Sequence, residues 1–81
     1  MARKPVVLVT GANGEMGHGL IHHLAEAGTY AILALDIREL DPELGRRSAA
    51  ATVGDILDRR LLERLMSEFE IHAVFHLAES A

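Results

Sequence analysis

An α/β fold, in which a doubly wound parallel sheet carries helices on both faces, is what the order of segments in this 81-residue chain predicts. Short runs of Val, Ile, Leu and Ala without polar interruption alternate with longer stretches whose apolar residues recur every three or four positions. Unbroken runs of that kind mark strands buried on both sides, the condition of a parallel sheet. The densest glycine cluster falls where the first run gives way to the first helical stretch. In open α/β sheets this is the place at which a ligand meets the strand ends.

Pro5-Val6-Val7-Leu8-Val9-Thr10 is the first strand, and Gly11-Ala12-Asn13-Gly14 turns the chain out of it. A helix is expected from Glu15 to Ala27, with Met16, Leu20, Leu24 and Ala27 at helical spacing and Gly28 at the C′ position. Tyr30 to Asp36 reads as a second buried strand. The stretch from Ile37 to Ala50 is the least regular. Asp41-Pro42-Glu43-Leu44 there suits the opening of one helical turn, since Pro is tolerated at the first helical position, but no full crossover helix is expected. Ala51-Thr52-Val53 is a short strand stopped by Gly54-Asp55. From Leu57 to Glu70, Leu57, Leu61, Leu62, Leu65, Met66 and Phe69 line one side of a helix, while Asp58, Arg59, Arg60, Glu63, Arg64 and Glu68 face outward. A fourth strand covers Ala73 to Ala78. With right-handed crossovers this β-α-β-turn-β-α-β succession gives strand order 3-2-1-4 and puts the two long helices on opposite faces. Residues 1–81 are expected to form one domain of about four strands and two long helices.

Composition narrows the function classes. A hydrophobic share of 49% with 25% charged residues excludes a disordered chain, and the net charge of −4 argues against nucleic acid, which demands a basic surface. With no Cys there is neither a disulfide framework nor a thiolate metal site, which fits a reducing cytoplasm. No apolar run approaches the ~20 residues of a membrane span, so no membrane association is expected.

The glycine cluster, Thr10-Gly11-Ala12-Asn13-Gly14-Glu15-Met16-Gly17, has the spacing G-x-x-G-x-x-G. The first Gly allows a tight turn, the second lets the backbone approach a pyrophosphate, and the third lets the helix lie against the sheet. Free amides and the positive helix end then favour phosphate. Gly11, Asn13, Gly14, Glu15, Met16 and Gly17 are the candidate residues of this cradle. Asp36, at the end of the second strand, lies at the distance along the chain expected of an acid that accepts hydrogen bonds from an adenosine ribose. Its charge disfavours a 2′-phosphate and so favours NAD over NADP, whereas Arg38 is suited to accommodate that phosphate. The alternatives are an ordinary Gly-rich turn that holds no ligand and a solvated acid at a strand end.

Taken together, these motifs make the chain resemble the N-terminal part of the extended short-chain dehydrogenase/reductase family, the NAD-dependent epimerases and dehydratases. TGxxGxxG is matched from Thr10 to Gly17 and the acid after the second strand by Asp36. The Gly-Asp-hydrophobic-x-Asp segment is matched by Gly54-Asp55-Ile56-Leu57-Asp58, and the His-Leu-Ala-Ala ending of the fourth strand by His76-Leu77-Ala78. The resemblance implies a Rossmann-like doubly wound sheet that binds NAD. It further implies that Asp55 accepts from the adenine amino group, that Ile56 flanks the ring through its backbone, and that Leu77 and Ala78 pass near the pyrophosphate and adenosine. Asp58, and alternatively Asp55, would cap the following helix instead. At Glu79 the sequence departs from the family's second Ala, which points to a chain end there.

The five histidines suggest no metal centre. His18 and His22 are i,i+4 but read as a polar helix face with no acid arranged beside them, and His76 reads as a packed, hydrogen-bonded strand residue. Arg46-Arg47 and Arg59-Arg60 read as solvated pairs. By resemblance, hydride transfer in the family uses a Tyr-x-x-x-Lys pair and a Ser or Thr beyond the fourth strand. The single Tyr30 and single Lys4 of this chain are not so spaced, so no catalytic residue is assigned. The expected function is the NAD-binding part of a sugar-nucleotide epimerase, dehydratase or dehydrogenase. The substrate would be a small molecule held by residues beyond this stretch, and the intact protein a possible homodimer. A threonine-type dehydrogenase, a non-catalytic dinucleotide sensor and a bare structural module are the other readings.

Overall fold

The computed structural model describes residues 4–77. Its elements are β1 (Val6–Thr10), α1 (Glu15–Ala27), β2 (Ala31–Asp36), α2 (Pro42–Arg47), β3 (Ala50–Val53), α3 (Arg59–Glu68) and β4 (Ile71–His76). All strand pairs are parallel and the order is β3-β2-β1-β4, as the succession of segments predicts. β1 is aligned with β2 residue for residue, from Val6 opposite Ala31 to Thr10 opposite Leu35. Against β4 the register slips once, so that Val6 faces Ile71 but Val7 faces Ala73.

Alternation along the strands divides the core in two. Val7, Val9, Ile32 and Ala34 turn to one face and pack with Ile21 and Leu24 of α1 and Leu44 of α2. Leu8, Leu33 and Leu35 turn to the other and meet Leu61 and Leu65 of α3. The two long helices therefore lie on opposite faces. Each fully buried Leu or Ile contributes about 1.5–3 kcal/mol, so the sandwich of β1 and β2 between helices is the main source of stability. The one buried polar residue among the described residues, Thr10, is satisfied by a 2.7 Å hydrogen bond between its hydroxyl and His76 Nδ1.

Four expectations need correction. The irregular stretch contains a true helix, α2, short but closed over α1 through Leu44. Its Asp41-Pro42 start fits the sequence reading; its continuation to Arg47 rests on tertiary packing. Met16 is 73% exposed, and the buried side of α1 is formed by Gly17, Ile21 and Leu24. The close approach at Gly17 fixes which side of the helix meets the sheet. Leu57 and Met66 are also exposed, since α3 begins only at Arg59 and presents Leu61 and Leu65 to the sheet. His76 is hydrogen-bonded but exposed, as are Val74 and Phe75, because no strand lies outside β4 among the described residues.

Candidate functional site

The parallel strands bring their carboxyl ends to one rim, where Thr10, Asp36, Val53 and His76 come together. Short backbone bonds tie the chain segments that leave them. Ala12 N donates to Leu35 O at 3.2 Å, Gly54 N to Asp36 O at 2.8 Å and Leu77 N to Thr10 O at 3.0 Å. β1 is flanked by β2 and β4, so the chain order reverses beside it, and a crevice outside the strand ends opens at such a point.

The turn into α1 is built around two close constraints. Gly11 has φ 67°, a left-handed conformation that L side chains rarely adopt. A Cβ on Gly17 would run into the Ala12 carbonyl, so only Gly lets α1 sit this close to the turn. Gly14 is the N-cap, and it offers no side chain to the amides of the first turn, Glu15 to Gly17. Those amides point from a helix end towards the crevice, an arrangement suited to an anion. Glu15 and Met16 are both exposed at this end.

Asp36 is turned into the same place. Its Oδ2 accepts from Asn13 N at 2.9 Å and its Oδ1 from Arg38 N at 3.0 Å. The acid and the glycine turn, 23 residues apart, are thus in direct contact. The Arg38 side chain is exposed beside them. Gly54 brings Asp55 alongside Asp36, but Asp55 Oδ1 accepts from Leu57 N at 2.9 Å and so shapes its own turn. Ile56 is half-buried against the core on the α3 side. Asp58 caps α3, with Oδ1 accepting from Leu61 N at 3.2 Å. Leu77 packs against the core on the α1 side. Ala78, together with Glu79, lies outside the described residues.

A further set of contacts was not legible in the sequence. Asn13 Oδ1 accepts from Asp41 N at 3.0 Å, Asp41 Oδ2 accepts from His18 Nε2 at 2.8 Å, and His18 Nδ1 donates to Gly14 O at 2.9 Å. His22 Nε2 lies 3.5 Å from Glu43 Oε1. The acids missing from the sequence reading of these histidines are therefore present, supplied by the start of α2. They form separate pairs, and no group of three or more His, Asp and Glu suited to a metal exists among the described residues. The signal was the match between histidines one turn apart and two acids flanking Pro42. The Gly14 carbonyl raises the His18 pKa above its ordinary value; partial burial opposes this, and Asp41 and Glu43 reinforce it.

Tyr30 and Lys4 lie at the amino-terminal ends of β2 and β1, on the opposite rim. A groove bordered by Lys4, Glu68, Phe69 and His72 lies on that rim too, away from the glycine turn and Asp36. No helix among the described residues is long and apolar enough to cross a membrane.

Residues 7–81 match the NAD dependent epimerase/dehydratase family. The chain is 37% identical to a UDP-glucose 4-epimerase of Azospirillum brasilense over 84 aligned positions, covering 98% of this chain and 23% of that protein. Among solved structures it is similar to the UDP-glucose 4-epimerase of Brucella ovis in complex with NAD, with TM-score 0.80 and 33% identity over 95% of this chain and 23% of the other. It is likewise similar to the UDP-glucose 4-epimerase of Thermotoga maritima with UDP-glucose, with TM-score 0.79 and 32% identity over 94% and 25% of the two chains. The chain thus spans about a quarter of the length of these relatives.

Proposed function

This chain belongs to the NAD dependent epimerase/dehydratase family, and from that membership we propose that its 81 residues are the N-terminal, NAD-binding part of a sugar-nucleotide epimerase or dehydratase. The observation that carries the reading is the contact between Asp36 and the Asn13 amide, beside a first helical turn that has no side-chain cap. It supports reading Asp36 as the ribose-binding acid beside a diphosphate cradle. NAD fits this donor set: amides of Glu15 to Gly17 face the diphosphate, and Asp36 accepts from the ribose hydroxyls. The same carboxylate repels the 2′-phosphate of NADP. The Gly54-Asp55-Ile56 backbone borders the adenine position. NAD, when bound, supplies a hydride acceptor for a hydroxyl-bearing carbon of the substrate. This chain's own residues bind and orient it; the acid/base pair belongs to residues beyond the fourth strand.

The relatives' UDP-glucose makes a nucleotide-sugar the first substrate class to try. Calorimetric titration with NAD should give a saturable isotherm that Gly14→Val removes. A Cβ on Gly14 would lie 3.4 Å from Gly11 O, an ordinary contact, so the turn tolerates the change while the diphosphate does not. Unchanged NAD affinity in that variant, or no binding by the parent protein, overturns the proposal. Conversion of UDP-glucose to its C4 epimer by the intact protein is the companion assay of the substrate class.

A further inference from the structure

We propose that His18, as an imidazolium bridging the Gly14 carbonyl and the Asp41 carboxylate, is a positioning residue for the dinucleotide crevice and makes cofactor affinity fall as pH rises. The inference rests on the proposed NAD site and extends it to a residue that lies outside the glycine motif.

The geometry of the ring carries it. His18 Nδ1 is 2.9 Å from Gly14 O and Nε2 is 2.8 Å from Asp41 Oδ2. Both partners are acceptors. A neutral imidazole has one N–H and one lone pair, so it serves one of them and sets a lone pair against the other; only the doubly protonated ring serves both. The carbonyl held by Nδ1 belongs to the N-cap of α1, and it also receives the amide of His18 at 2.9 Å. Its orientation sets that of the amides behind it. On the far side of the ring the contacts close a circuit. Asp41 N donates to Asn13 Oδ1 at 3.0 Å, and Asn13 N donates to Asp36 Oδ2 at 2.9 Å. His18 thereby joins the phosphate end of the crevice to its ribose end through the start of α2.

The acids that face the ring act in the same direction. Asp41 and Glu43 face the ring from the α2 side, and both favour the imidazolium. On α1 itself, His22 takes up Glu43 at 3.5 Å. Arg47 of α2 is engaged with Glu26 at 3.2 Å, and Arg46 follows it in the last turn. Asp36 at the end of β2 is reached only through Asn13, and β1 contributes no charged group.

Because the folded-state pKa of His18 is raised, its two bonds are complete below the ordinary value of about 6.5 and are lost as pH rises through the folded-state value. The same sign holds for stability and for NAD affinity. The test is NAD affinity from about pH 5.5 to about pH 8.5 in the protein and in His18→Gln and His22→Gln, with the ring titration of His18 followed by NMR. The expected result is a roughly threefold or larger weakening across that range in the parent and in His22→Gln, the size of a partly screened charge contact, and a flat profile in His18→Gln. A flat parent profile, a His18→Gln profile parallel to the parent's, or a dependence abolished by His22→Gln overturns this inference while the NAD site stands. Absence of NAD binding at every pH overturns the site and the inference together.

Discussion

Asp36 spends both carboxylate oxygens on backbone amides, one from the glycine turn and one from Arg38. This fixes the acid in place before any ligand arrives, as the proposed ribose contact requires. Replacing it with Ala removes both the acceptor and the charge that repels a 2′-phosphate. Asp36→Ala should therefore weaken NAD about tenfold or more, as expected for hydrogen bonds to a charged group (~1.5–3 kcal/mol), and narrow the preference over NADP. Paired titrations with the two dinucleotides check this, and an unaltered preference counts against the assignment. At this scale Gly11 and Gly17 were readable because each obeys a local constraint, φ 67° at Gly11 and the Ala12 carbonyl against Gly17. Asn13 was readable only as a member of the motif. Its side-chain role depends on Asp41, 28 residues away, and no local rule brings those two together.

Among the elements, α1 and α3 owe their ends to local chemistry. Gly28 closes α1 at φ 70°, and the Asp58 side chain opens α3 by accepting from Leu61 N. Asp58→Ala should cost about 1 kcal/mol of stability, the usual worth of an N-cap, without altering the site. Urea unfolding that shows no shift in midpoint would refute the capping role. Gly54 leaves room for the Leu61 side chain of α3, whose terminal methyl a Cβ there would displace. The faces of the helices were less legible. Met16, Leu57 and Met66 fit the apolar periodicity, yet all three are exposed. Periodicity gives the repeat of a stripe, but which side of the stripe touches the sheet depends on where the close contacts fall. For α2, a six-residue helix too short to be stable alone, formation depends on Leu44 having a core to enter.

For the molecule as a whole, the decisive feature is an asymmetry between the sheet's centre and its β4 edge. β1 and β2 are covered on both faces, whereas β4 leaves Val74 53% and Phe75 38% exposed and has one open edge among the described residues. Such an edge templates pairing with another chain. These 81 residues expressed by themselves are expected to self-associate with rising concentration, and Val74→Lys should reduce that association. Sedimentation showing a monomer throughout would refute it. The sequence by itself determined the order of elements, the parallel sheet with order β3-β2-β1-β4, the start of α1 at the glycine turn and the nearness of an acid to it, because each follows from local propensity and the handedness of crossovers. Only the tertiary structure decided which helix sides are buried, that α2 forms, and that His18 and Asp41 meet across the crevice. Those outcomes depend on contacts between residues far apart in the chain, whose energies exist only once the sheet has brought them within reach.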